Sequence, residues 1–585
     1  MKSHPEQPLV RSASSILCLC TAWLLFLVPS TGLADMAISG LDARLETNVR
    51  AMSPLSTASC DSAPWRVERL FRNADKDITN ALRALGYYEA VINKSLHWGD
   101  DCWRADIRIQ AGEPVRLRNV KIEIDGDAAL DTAFMNRIST ARPASGEVFD
   151  HGRYSNFKSA LLSSAMSSGF FDAKFDSSTV TIDRDARSAD LIMEFQSGEK
   201  YRFGEVRFTE GILRDNLLQG YTDIKAGEPY SSKMISDLYE ALNGSSYFSS
   251  VSIKTEPLDT AGKTVPVTVE LTSAKHRVYS AGGGFTTDLG PHGRIGYTNR
   301  RINDKGHQFE SKLFGSSVSS ELNAAYRWPM RNPRREWFSI VTGLQHEKTE
   351  TSEHDSFKVG FLRSKSMGPA WMRTRYIDYA YEDFIVGNQI STSQLVILGT
   401  NWETAEGRAL SRATHGHRLN LDLRGASDAL GSDTSFLQLR VKAKWVHAFG
   451  DRTRLLARTS LGLTAKDELS ELPASVRFFA GGDSSVRGYE YETLGPVDAD
   501  GNVIGGSHQI DGSLEIDRLI RDKWAIALFV DSGNAFNTFD IDLYTGVGIG
   551  LRWYSPVGPI RLDFAHPLDD PDQNFRIHIS LGPDL

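Results

Sequence analysis

The chain has 585 residues, 41% of them hydrophobic, with a mean hydropathy of −0.31 and a formal charge of −8. That length exceeds one ordinary domain of about 100–200 residues. The hydropathy excludes a protein built from membrane-spanning helices, and the negative charge disfavours nucleic acid as a partner.

The only long apolar run, Ile16 to Val28, follows Lys2 and Arg11 and leads to Gly32-Leu33-Ala34. It is too short for a bilayer helix of about 20 residues, and small residues stand where a signal peptidase reads. Residues 1–34 are therefore expected to be a cleaved secretory signal, the alternative being an uncleaved anchor. Lys2, Arg11 and Glu6 leave with it, so the net charge falls from −8 to −9. Cys18 and Cys20 lie inside this segment, and Leu19 is not the small residue that lipoprotein processing requires. Cys60 and Cys102 remain. In an exported chain they are expected to pair as a disulfide, the alternative being two separate buried thiols. There is no CxxC or His-Cys cluster, so no metal site is expected, and no cofactor.

A repeat follows. Leu85-Gly86-Tyr87-Tyr88, Ser168-Gly169-Phe170-Phe171 and Ser246-Tyr247-Phe248 each put a small residue before paired aromatics, and Gly86 and Gly169 are 83 positions apart. A second phrase recurs as Ala111-Gly112-Glu113-Pro114, Ser197-Gly198-Glu199-Lys200 and Ala226-Gly227-Glu228-Pro229. Val120, Ile122 and Ile124 alternate with charged residues, as on a half-buried strand. Ile235, Leu238, Tyr239 and Leu242 fall on one helical face. In the second unit the expected order is strand 118–124, helix 131–139, helix 152–167, strand 174–182 and strand 190–196, a β-α-α-β-β unit. Three such units, 35–112, 113–198 and 199–275, fill the first half. The pattern resembles the polypeptide-transport-associated (POTRA) domain. Its open sheet edges would suit strand addition by an extended partner, the alternative being a spacer.

From residue 276 to 585 helical periods give way to dyad alternation. Leu437, Leu439, Val441, Ala443 and Trp445 alternate with Gln438, Arg440, Lys442 and Lys444. Leu419, Leu421 and Leu423 alternate likewise. A soluble sandwich also alternates, but the length of the runs and the lack of helices between them favour a transmembrane antiparallel β-barrel of about 16 strands. Trp328, Trp337, Trp445, Trp524, Trp553, Tyr326 and Tyr554 fall near expected strand ends, where an interfacial girdle would lie. Glu353-His354-Asp355 reads as a solvated loop. With no nucleophile elbow or phosphate loop in the chain, an enzyme is not expected.

Three stretches near the C-terminus carry a sharper signal: Phe479-Ala480-Gly481-Gly482-Asp483-Ser484-Ser485-Val486-Arg487-Gly488-Tyr489, then Phe529-Val530-Asp531-Ser532-Gly533-Asn534, then Gly546 to Asp563 with Ser555-Pro556-Val557-Gly558-Pro559-Ile560-Arg561. Parity places Trp524, Ile526, Leu528 and Val530 outward and Ala525, Ala527, Phe529 and Asp531 in the lumen. It likewise turns Gly546, Gly548, Gly550 and Arg552 inward, leaving space for an inserted loop or for strand curvature.

Together these stretches resemble the signature of the POTRA-plus-barrel superfamily that includes BamA, TamA and two-partner secretion transporters. The resemblance implies that Val486-Arg487-Gly488-Tyr489 lies on a loop inside the barrel. Arg487 would then meet Asp531 of the Phe529-x-Asp531-x-Gly533 motif, Gly488 would make a tight turn, and Tyr489 would pack on the wall. It also implies a lateral seam between Val278–Phe285, with Gly282, Gly283 and Gly284, and the last strand, with Phe575, Ile577, Ile579, Leu581 and then Gly582. Three units and the ending Leu581-Gly582-Pro583-Asp584-Leu585 resemble the TamA branch, although most outer-membrane barrels end in an aromatic residue. That branch implies a Gram-negative outer membrane, a periplasmic arm, unfolded outer-membrane or autotransporter clients, and a TamB-like inner-membrane-anchored partner. A two-partner-type pore for a dedicated exoprotein is the alternative.

Overall fold

The computed structural model describes residues 35–99, 102–209, 211–255, 262–407, 412–466, 468–555, 558–570 and 575–581. The expected signal, Pro556-Val557 and Gly582 lie outside them.

The first unit runs β1 (Asp35–Ser39), α1 (Ala43–Met52), α2 (Pro64–Ala84), β2 (Val91–Trp98) and β3 (Trp103–Gln110). The second runs β4 (Arg116–Asp125), α3 (Thr132–Ser139), α4 (His151–Ser168), β5 (Lys174–Asp183) and β6 (Ser188–Gln196). In both, the last strand is central and pairs parallel with the first and antiparallel with the fourth element, in the orders β1-β3-β2 and β4-β6-β5. Alternation sets the buried face: Trp103, Ala105, Ile107 and Ile109 of β3 pack under Val67, Ala74, Ile78 and Leu82 of α2. Aspartates start the helices, since Asp42, Asp131 and Asp150 accept the backbone N–H of Leu45, Phe134 and Arg153 at 2.9–3.0 Å, which satisfies an otherwise orphan donor.

The repeated aromatic phrase is a helix stop. Gly86 and Gly169 take φ +93°, and Ser246 takes +63° in the third unit, a left-handed turn that costs glycine little. The second phrase is not one repeated position. Gly112 and Gly198 follow last strands, whereas Gly227 corresponds to Gly146, because Arg202 bridges Pro229 as Arg116 bridges Val148.

Cys60 and Cys102 are joined across 42 positions, tying the start of α2 to the start of β3. Closing a loop of that length stabilises by about 4 kcal/mol in the chain-entropy account. A Cys60→Ser, Cys102→Ser chain is therefore expected to exchange the amide hydrogens of β3 much faster, which hydrogen–deuterium exchange would read while the barrel amides stay protected.

The third unit has the same plan: β7 (Arg202–Phe208), α5 (Asp215–Gln219), α6 (Ser232–Asn243), β8 (Phe248–Lys254) and β9 (Thr264–Ser273), ordered β7-β9-β8. It is fastened to the following strands. Arg214 Nε donates to Asp304 at 2.7 Å, Arg334 Nη1 to Asp223 at 2.8 Å, and the Tyr247 hydroxyl to Gly306 O.

Sixteen antiparallel strands then close a barrel: β10 (Arg277–Thr286), β11 (Gly290–Asn299), β12 (Gln308–Gly315), β13 (Ser319–Pro329), β14 (Glu336–Lys348), β15 (Ser352–Met367), β16 (Trp371–Val386), β17 (Gln389–Glu406), β18 (His415–Ala426), β19 (Phe436–Phe449), β20 (Thr453–Ala465), β21 (His508–Arg521), β22 (Trp524–Phe536), β23 (Tyr544–Ser555), β24 (Gly558–Pro567) and β25 (Arg576–Leu581). Trp524, Ile526, Leu528 and Val530 are 39–56% exposed on the outer face, while Ala525, Ala527 and Asp531 are completely buried on the inner one. This is the inside–outside pattern of a barrel that meets lipid.

Two sequence expectations need correction. Glu353, His354 and Asp355 begin β15 rather than forming a loop. His354 is buried, while Glu353 and Asp355 pair with Lys348 and His346 across the hairpin. Tyr554 and Trp337 are not girdle residues. The Tyr554 hydroxyl is buried on Asp517 at 2.8 Å, and Trp337 points inward under the Arg327 guanidinium at 5.4 Å. Strand-end position is not enough, because the side facing lipid is a matter of parity. Trp524 and Trp553 do face outward and stack at 5.8 Å.

Candidate functional site: the lumen loop and the seam

Inward positions of five consecutive strands supply one polar wall: Arg458 from β20, Ser513 and Glu515 from β21, Asp531 from β22, Arg552 from β23 and Asp563 from β24. Between β20 and β21, residues 468–507 fold against this wall, with Ala480, Val486, Arg487 and Tyr489 all buried.

Arg487 is the centre. Its Nε and Nη2 donate to the two Asp531 oxygens at 2.7 and 2.9 Å, and its own backbone N–H reaches Oδ2 at 3.1 Å. Nη1 donates to Glu515 at 2.9 Å and Asp563 at 3.0 Å, and the guanidinium carbon lies 3.4 Å from the Phe529 ring centre. Arg552 grips Glu515 with Nε and Nη2 at 3.0 and 2.8 Å. Arg458 donates to Asp531 at 3.2 Å and to the loop carbonyls of Asp483 and Ser485, both at 2.9 Å. Three guanidinium groups thus neutralise three carboxylates. Buried charges are tolerable only with that degree of pairing and hydrogen bonding, and the planar fork of Arg487 suits a two-point grip on a carboxylate.

Gly488 has φ +102°. Tyr489 meets Tyr544 edge to face at 5.5 Å between ring centres, and its hydroxyl accepts the Asp569 N–H at 3.3 Å. Gly533 lies on β22 opposite Asp511, where a Cβ would come within 2.5 Å of the Asp511 Cβ. The inward glycines of β23 are there for close approach rather than curvature alone. A methyl on Gly546 would stand 1.8 Å from the Arg487 carbonyl oxygen, and one on Gly548 2.3 Å from the Phe529 ring.

The sequence reading had not assigned roles to Glu515, Arg458, Ser513, Arg552 and Asp563. Glu515 was findable by the same parity, since Leu514 and Ile516 flank it on the outer face. Arg458 carries no such signal, because two of its three partners are loop carbonyls, which no motif marks.

The expected seam strands, β10 and β25, are neighbours in the closed barrel. Gly282, Gly283 and Gly284 pair with Arg294, Gly293 and His292 of β11, where β10 makes ten register pairs. Against β25, among the described residues, it makes one, Thr286 with Ser580. Beside it, Thr287 N–H donates to Ile579 O at 3.1 Å and its hydroxyl accepts the Ile579 N–H at 2.8 Å. Ile577, Ile579 and Leu581 are on β25 and pair with Phe564, Leu562 and Ile560 of β24. Phe575 precedes that strand and packs on His566 at 5.4 Å.

A closed sixteen-strand barrel holding a folded-in loop, preceded by α+β units, defines an outer-membrane barrel protein with periplasmic POTRA units. The family model for the Omp85 superfamily domain matches residues 291–584, half of the sequence, and the chain belongs to that superfamily, whose members are assembly and transport factors rather than enzymes. Residues 35–111 match a model described as POTRA domain TamA domain 1, and 201–274 one described as surface antigen variable number repeat. The chain is similar to the outer membrane protein assembly factor BamA of Nitratidesulfovibrio vulgaris, 24% identical over 63% of this chain and 49% of that protein. It is similar also to BamA of Neisseria meningitidis serogroup B, 20% identical over 88% and 73%. Thus it spans about half the length of the first relative. In fold it is similar to Haemophilus ducreyi BamA lacking POTRA domains 1–3, with a TM-score of 0.64 at 16% identity over 80% of this chain and 99% of that one.

Proposed function

We propose that this protein is an outer-membrane assembly factor of the TamA type, which passes autotransporter-like clients into the membrane through the seam between β10 and β25, working with a TamB-like partner anchored in the inner membrane. The observation that carries this reading is the asymmetry of β10 among the described residues: ten register pairs with β11 and one with β25. A short strand junction in a lipid-facing wall is the place where the wall opens at least cost, and the β10 edge it would expose is a template for an incoming strand. The lumen loop supports the reading by bracing the barrel on the other side of β25, through β20 to β24. The TamA-type first POTRA match and the three-unit plan favour this branch.

The test is a disulfide lock at the observed register, Thr286→Cys with Ser580→Cys. Surface display of an autotransporter is expected to fall to the level of a strain lacking the protein, and to recover on reduction. Display that continues through a locked seam removes the lateral route and leaves the two-partner-type pore.

A further inference from the structure

Where β10 turns into β11, the lumen loop and the last strand meet at three side chains. Asp288 is in the turn 287–289, Asp483 is on the loop, and His578 is on β25. Each offers an oxygen or nitrogen within 4.8 Å of the others. Asp288 Oδ2 accepts the Asp483 N–H at 2.7 Å, and Asp483 Oδ1 is paired with His578 Nδ1. The other oxygen of each carboxyl, Asp288 Oδ1 and Asp483 Oδ2, is shut off from solvent without a hydrogen-bond partner.

The tautomer of His578 decides what the cluster can be. Its Nε2 receives the Gly488 N–H at 2.9 Å. An amide N–H can only donate, so Nε2 accepts and the ring proton sits on Nδ1, directed at Asp483. A metal at this point would need the Nδ1 lone pair, which that tautomer does not present. A buried carboxyl beside a second carboxylate, with one oxygen that no donor reaches, is eased by a proton of its own. We infer that Asp288 carries a proton, and that with Asp483 and His578 it forms a clasp holding the first hairpin, the lumen loop and the last strand together. The cluster contains no client-binding group; it positions the seam by way of the loop. The inference rests on the reading of the seam as the working part of the protein.

The surrounding charges fit. Arg576 on β25 is engaged by Glu490 at 2.7 Å, and Arg458 is engaged by loop carbonyls and Asp531. Asp563 faces His578 in register but is held by Arg487 and Arg552. Glu492 and Tyr491 of the loop and Glu347 of β14 add negative or neutral neighbours. Burial first, and then the charge of Asp483, push the carboxyl of Asp288 up to about 7. A carboxyl raised in the clasped state from a solvated value of about 3.9 stabilises the clasp fully below pH 4. That contribution is lost as pH rises through 7 and does not change further above it.

The experiment uses the full chain in lipid nanodiscs, with nitroxides at Tyr279→Cys and Ile577→Cys, two outward-facing seam positions, and electron–electron resonance distances from pH 4 to 8.5. The open population should rise by up to about tenfold per pH unit between 4 and 7 and then level off, with or without EDTA. Asp288→Asn keeps the oxygen that accepts the Asp483 N–H and supplies a permanent N–H in place of the proton, so it should hold the seam closed with a flat profile. Asp288→Ala should open it at every pH. A flat wild-type profile, an Asp288→Asn profile that keeps the slope, or a profile abolished by EDTA overturns the clasp. None of these outcomes touches the disulfide-lock result, so the two ideas fail separately.

Discussion

Replacing Asp531 with Ala is expected to destabilise the barrel by about 3–5 kcal/mol, the usual cost of leaving a buried charge without its partner. The loss is larger than that of one pair because Asp531 takes five donations. Nε, Nη2 and the backbone N–H of Arg487 reach it, as do Arg458 and, across the hairpin, Ser513. Arg487→Lys keeps the charge but has no fork to span two oxygens, and should cost about 1–3 kcal/mol. Arg487→Ala with Asp531→Ala should be less destabilised than the sum of the single changes, since each alone strands the other's charge. Urea unfolding in detergent reads the energies, and limited proteolysis between residues 479 and 495 reads whether the loop has left the wall. An Asp531→Ala protein as stable as wild type, with its loop still protected, would mean the loop is held by Tyr489 and the apolar contacts of Val486 alone.

Gly546→Ala is expected to act almost as strongly without altering any charge. The added methyl would sit 1.8 Å from the Arg487 carbonyl oxygen, a backbone atom that cannot rotate away, so the loop must move. Overpacking of this kind costs about 1–3 kcal/mol, and here it is directed at the one segment that carries the guanidinium. Gly548→Ala meets the Phe529 ring and, at 2.4 Å, the Phe564 carbonyl oxygen of β24, so it should strain the strand pairing without pushing the Arg487 backbone and leave the loop better protected than Gly546→Ala does. Gly315→Ala, at the end of β12 with open space around its Cα, is the control and should be silent. The same proteolysis assay orders the three; equal protection in all would remove the close-approach explanation for these glycines.

Much of the molecule was legible in the sequence for identifiable physical reasons. Period-2 alternation along Leu437–Trp445 and Trp524–Asp531 needs no knowledge of the neighbour strand, because parity alone decides which side chain meets lipid. Gly86 and Gly169 were visible as a repeat before paired aromatics, but that they stop helices follows only from their φ of +93°. The meeting of Arg487 with Asp531 came from motif resemblance, and parity could say only that Asp531 faces inward. Glu515 and Arg552 escaped because each looks like one more polar residue on a wet face; only the meeting of β21 with β23 across β22 reveals that the Arg552 guanidinium holds the Glu515 carboxylate. The seam register had no signal in the alternation, since it is held by the hydroxyl and backbone of Thr287, one residue beyond the strand.

Strand length varies around the barrel, and the short strands flank the seam. β10, β11 and β24 have 10 residues and β12 has 8, whereas β15, β16 and β17 have 16, 16 and 18. At about 3.3 Å per residue and a tilt of about 40°, the short strands reach roughly 20–25 Å, less than the hydrocarbon thickness of about 30 Å in an ordinary bilayer. Lipid tails against this side must compress or tilt to cover it, at a cost of a fraction of a kcal/mol for each ångström of mismatch. On the opposite side the wall is tall enough to leave the tails at rest. The protein therefore stands in a membrane that it thins on one side only, and the dent lies beside the wall where a polar chain would have the shortest distance to cross.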